Sequence, residues 1–148
     1  MQRNRSERLK SIVRLAKHEE DVAVAELVKI KKILADNKTQ HEELGEYRQQ
    51  YFEKHKQDSA LGTDVNSLIN FKNFMSKLDN VIAQQNKNVE SCLASLDVIE
   101  KEWIEKHVYF KKIDDLFNKA LDSEKNIRNK KDQKESDDIS QTLYQRKK

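Results

Sequence analysis

An apolar repeat of 3.5 residues runs from Phe71 to Ile127 without a slip. Alternate steps of four and three pick out Phe71, Met75, Leu78, Ile82, Gln85, Val89, Cys92, Leu96, Ile99, Trp103, Lys106, Phe110, Ile113, Phe117, Ala120, Glu124 and Ile127. Of these 17 positions 14 are apolar. A repeat kept this long specifies an α-helix with one narrow apolar seam, the pattern of a coiled-coil strand. At 1.5 Å per residue the strand is roughly 85 Å long. Its seam cannot face water alone, so the pattern demands a partner helix.

A second seam supplies that partner from within the chain. It starts at Leu9 and continues through Val13, Ala16, Glu20, Ala23, Leu27, Ile30, Leu34, Asn37, His41, Leu44, Arg48 and Tyr51. The spacing predicts a first helix over about 4–57. Residues 1–8 are polar and basic, and are expected to fray. Asp58 to Asp64 is the one convincing loop, because Gly62 can take positive φ and Thr63 or Asp64 can cap the next helix. A second helix is expected over about 65–130. The rhythm fails after Ile127, so residues of about 131–148 read as a polar, frayed tail. The fold class is all-α, a single domain over 1–148, built as a two-helix antiparallel coiled-coil hairpin.

Antiparallel pairing makes facing residue numbers sum to a constant, and sums of 119 and 126 both suit the heptads. A sum of 119 sets Glu20 against Ile99 and Leu34 against Gln85. A sum of 126 sets Glu20 against Lys106 and His41 against Gln85. It also sets Ala16 against Phe110 and Ala23 against Trp103. Polar facing polar and small facing large mark a specified register, so 126 is expected.

Composition agrees with few, long helices. Charged residues are 37% and hydrophobic ones 36%, with no Pro and only Gly45 and Gly62. The net charge is +3, too small by itself to imply nucleic acid. Arg3, Arg5, Arg8, Lys10 and Arg14 make the first residues basic. The single Cys92 excludes an intrachain disulfide and falls on the seam as a small hydrophobe. No apolar run approaches a membrane span and no signal-peptide core is present, so a cytoplasmic location is expected. His18, His41, His55 and His107 form no Glu-x-x-His or His-x-x-x-His pattern. No Gly-rich phosphate loop occurs. The expectation is a non-enzyme with no catalytic, metal or cofactor site, and no nucleic-acid partner.

One face carries more than the seam needs. Gln40, Leu44, Tyr47 and Tyr51 are spaced i, i+4, i+7, i+11, and Phe74, Leu78, Val81 and Gln85 repeat that spacing. In each set two residues lie on the seam and two flank it on the same side. Two paired helices have no third layer to cover the flankers. Tyr47, Phe74 and Val81 are therefore expected to be partly exposed, as a partner site.

At these residues the sequence resembles the FliJ family, a small coiled-coil component of the flagellar type III export apparatus. The resemblance rests on Tyr47-Arg48-Gln49-Gln50-Tyr51 and on Leu68-Ile69-Asn70-Phe71-Lys72-Asn73-Phe74 with Leu78 and Ile82. The heptads through Trp103, the length and the late Asp132-Gln133-Lys134 stretch are also similar. The resemblance implies a hairpin like the stalk of rotary ATPases, whose two-terminus end enters the ring of the hexameric export ATPase. Arg3, Arg5, Arg8, Lys10 and Arg14 are the residues expected at that end. It further implies docking on the cytoplasmic domain of the export gate protein FlhA, and traffic with export chaperones. The gate-docking face maps onto Gln40, Leu44, Tyr47, Tyr51, Phe74, Leu78, Val81 and Gln85. A monomer peripherally associated with the membrane-embedded apparatus is expected. The stalk of a virulence-type secretion ATPase and a homodimeric scaffold are the alternatives.

Overall fold

The computed structural model describes residues 4–146. It contains two helices, α1 (Arg5–Ala60) and α2 (Val65–Arg146), and no strand among the described residues. They form an all-α helical hairpin. The turn is built as the sequence dictates. Leu61 N–H donates to Asp58 O at 3.2 Å and Gly62 N–H to Ser59 O at 3.0 Å. Gly62 sits at φ 102°, a conformation that costs a side chain-bearing residue strain. Asp64 is the cap of α2: its Oδ1 accepts the Ser67 N–H at 2.7 Å. That bond is the main reason the Asp64 carboxyl titrates below its ordinary range.

The chain divides into two compact units. In the unit of residues 23–103, the α1 seam from Ala23 to Tyr51 and the α2 seam from Phe71 to Trp103 are buried or half-buried at every position. Asn37 touches both Gln85 and Cys92, which flank Val89. It thus faces Val89, the residue that a sum of 126 assigns to it. The expected partner of Gln85 was His41. Gln85 instead bonds Asn37 and Gln40, because its side chain reaches along the seam to an amide that offers both a carbonyl and an Oδ1.

The other unit pairs the start of α1 with α2 beyond Ile104. Ala16 is its tightest point, 2% exposed. Here the polar layer differs from the expected Glu20–Lys106 contact. Glu20 takes His107 at 2.7 Å, and Lys106 turns outward to Glu19 at 3.3 Å. The physical reason is desolvation. Lys106 stays exposed on the rim beside a half-exposed Glu19, and the less strongly hydrated imidazole goes to the buried Glu20 carboxylate.

Both helices extend past the expected ends. α1 begins at Arg5, close to the expected start near 4, and residues 5–8, expected to fray, are helical because Ser6 continues the four-three rhythm and is 6% exposed. Its N–H and hydroxyl both donate to Glu124, at 3.2 and 2.6 Å. Glu124 therefore satisfies a helix-start N–H that has no intrahelical partner. Those two bonds also hold its carboxyl below the usual range. α1 continues to Ala60, three residues beyond 57. α2 continues to Arg146 through the expected tail, although every residue of 125–146 is exposed. Failure of the apolar rhythm marks the end of partner packing, not of the helix. No Gly or Pro interrupts this stretch, so propagation costs little per residue. Residues 1–3, including Arg3, and the tail's Lys147 and Lys148 lie outside the described residues.

Candidate partner-docking face

The face lies in the unit of residues 23–103 and is built by the return of α2 along α1. Tyr51 occupies a seam position, and its ring meets Phe74 at 4.4 Å between centroids and Phe71 at 5.8 Å. Tyr47, one turn earlier, lies 6.4 Å from Tyr51 and 6.5 Å from Phe74, edge to face with the latter. These separations are those of favourable aromatic pairs. Phe71 is enclosed further by Phe52 at 6.3 Å and by His55, stacked nearly parallel at 3.6 Å. His55 also contacts Ser59 Oγ at 3.1 Å through Nε2.

The eight expected docking residues divide by burial. Leu78 and Gln85 are buried, while Leu44, Tyr51 and Phe74 are half-buried. Gln40, Tyr47 and Val81 are exposed, Tyr47 and Val81 by 50% each. Gln85 is a support under the face: its Nε2 donates to Asn37 and Gln40, and its Oε1 accepts from Asn88 Nδ2 at 3.3 Å. The surface a partner could touch is therefore Tyr47 and Val81, the edges of Phe74 and Tyr51, and Gln40. The rings packed below them restrict the side chains that would have to be ordered on binding.

Sequence reasoning missed two contributors. His55 stands four residues after Tyr51 and so continues the first seam by one further step. Leu61, Val65, Leu68 and Ile69 are all exposed around the turn and the start of α2, Leu61 by 91%. They extend the apolar surface of this unit beyond the rings. The signal was present in the Leu68-Ile69 pair before Phe71, where apolar residues precede the seam.

An ion pair fixes α1 to α2 beside the rings. Arg48 Nε donates to Asp79 Oδ1 at 2.6 Å and Nη2 to Oδ2 at 3.4 Å. The hydrogen bond raises the Arg48 pKa and lowers that of Asp79. A depressed carboxylate pKa adds stability above the unfolded value, and loses it as pH falls through the folded one. Asp79→Asn should therefore flatten part of the acid limb of helicity against pH. An unchanged limb would show that the pair contributes nothing, as many exposed pairs do.

Arg5, Arg8, Lys10 and Arg14 occupy exposed positions on the first turns of α1, in the other unit. No group of His, Cys, Asp or Glu among the described residues could hold a metal ion. No helix among them is long and apolar enough to cross a membrane.

No curated protein and no solved structure matches the sequence. A family model described as Flagellar FliJ protein matches residues 5–148, essentially the whole chain. With that match and the hairpin that presents the ring cluster, the chain belongs to the FliJ family of flagellar export-apparatus components.

Proposed function

We propose that this chain is a stalk and adaptor of the flagellar export machine, acting without catalysis of its own. The basic first turns of α1 enter the hexameric export ATPase and favour its assembly or activity. The ring-supported face of Tyr47, Phe74 and Val81 docks on the cytoplasmic domain of the export gate protein FlhA. Export chaperones are handed on from the same component. It works as a monomer at the cytoplasmic side of the membrane, held there by the gate rather than by lipid.

The observation that carries this reading is the exposure of Tyr47 and Val81 over a packed aromatic cluster. An exposed apolar face on a two-layer hairpin is a partner site in need of an occupant. Family membership supports an export-apparatus occupant. Titration of the FlhA cytoplasmic domain with the wild-type chain and with Tyr47→Ala/Phe74→Ala tests it. Binding by the former and its loss in the latter are expected. Equal binding by both would remove this face from the reading.

A further inference from the structure

The last part of α2, residues 125–146, is a helix with every residue exposed. Its helicity rests on propagation from the packed part of α2 and not on burial of a seam, so a partner would stabilise it. Its charges are ordered about Gln133. Asp132 is mirrored by Lys134, Lys131 by Glu135 and Arg128 by Asp138. One step further out, Ile127 is mirrored by Ile139. Asn129 and Asp137, and Lys130 and Ser136, break this order, but all four lie off the face that carries Arg128, Lys131, Glu135 and Asp138. At 100° per residue, Ile127, Arg128, Lys131, Glu135, Asp138 and Ile139 fall in one stripe roughly 120° wide. The two isoleucines mark its edges and are 65% and 61% exposed. No ion pair among the described residues engages Lys131, Glu135 or Asp138. Glu124, which holds Ser6, lies on the same side of α2. The stripe therefore opens where the cover by α1 begins.

We propose that this stripe pairs antiparallel with the same stripe of a second copy, about a two-fold axis at Gln133. The arrangement sets Arg128 of each copy against Asp138 of the other and Lys131 against Glu135. Ile127 and Ile139 flank the charged layers at both ends, on opposite edges of the contact. A two-fold contact of this kind is self-limiting. Parallel pairing is disfavoured, because it sets Arg128 against Arg128 and Asp138 against Asp138. An acidic partner or nucleic acid would satisfy Arg128 and Lys131 but would be repelled by Glu135 and Asp138. The overlap is short and rich in charge, so the association is weak and governed by salt. The hairpin closes its own seam without it, and the chain remains a monomer when dilute.

Sedimentation equilibrium of the full chain, from micromolar to millimolar, tests the pairing. A monomer–dimer equilibrium is expected, with a dissociation constant that rises about tenfold or more between low and high salt. Arg128→Glu/Lys131→Glu should stay monomeric, and so should Glu135→Lys/Asp138→Lys, each with the helicity of the wild type. Mixed together, these two variants should recover a heterodimer, because all four charge pairs are restored. A chain that stays monomeric at every concentration would overturn the proposal. So would dimers that ignore both charge reversals, or a mixture that fails to associate. Binding of duplex DNA through Arg128 and Lys131 without self-association would overturn it as well, in favour of an anionic polymer.

Discussion

Tyr47→Ala with Phe74→Ala is expected to weaken binding of the FlhA cytoplasmic domain by about 30-fold or more. Aromatic anchors at the centre of an interface often contribute 2 kcal/mol or more, and every 1.4 kcal/mol is tenfold in affinity. Tyr47 is half exposed in the free chain, so its removal costs the partner contact more than the hairpin. Phe74 is half-buried against Tyr51 at 4.4 Å, so its removal costs the hairpin too. The double variant should therefore melt somewhat lower than the wild type, and Tyr47→Ala alone hardly at all. Isothermal titration beside thermal melting separates the two effects. If Tyr47→Ala melts early and binds normally, the ring is structural and the docking face lies elsewhere.

The second large effect concerns the polar layer of the other unit. Glu20 is 7% exposed, and one of its carboxylate oxygens meets His107 Nδ1 at 2.7 Å. The other, Oε2, is buried with no hydrogen-bond partner among the described residues. Removing the imidazole would take from Oε1 the donor it has and leave the buried carboxyl with neither oxygen bonded to it. Such a change costs about 1–3 kcal/mol at a buried group, so His107→Ala should lower the melting temperature by several degrees. Glu20→Leu with His107→Leu should regain most of the loss, because apolar replacement of both partners removes the desolvation cost altogether. A double variant less stable than His107→Ala would contradict this account and show that the pair is net stabilising.

The seams were legible because a 3.5-residue rhythm reports burial directly. From Leu9 to Tyr51 and from Phe71 to Trp103, each residue on the rhythm is shielded. The rhythm is silent where two polar neighbours both fit it. From Trp103 to Phe110 the intermediate step can fall on Lys106 or on His107, and spacing cannot choose. Desolvation chooses, setting His107 under Glu20 and Lys106 at the rim. The same silence explains α2 beyond Ile127, where helicity persists without a partner to impose a pattern. The candidate face was legible only in part. Its stripe mixed seam and flank positions, and only the packing separates buried Leu78 and Gln85 from exposed Tyr47 and Val81. Gln85 is drawn inward by Asn37, a residue 48 positions away in sequence.

Everything assigned to the face depends on α2 returning along α1 of the same chain. Tyr47 and Phe74 lie far apart in sequence, and in a parallel dimer of extended helices they would sit roughly 40 Å apart along the axis. Disulfide trapping tests this most directly. In a Cys92→Ser background, Ile30→Cys with Leu96→Cys joins two seam positions whose numbers sum to 126. Oxidation at low concentration should give a crosslink within one chain, at monomer mass. A crosslink between chains, or a preference for Ala23→Cys with Leu96→Cys, would contradict the hairpin or its register, and the docking face with it.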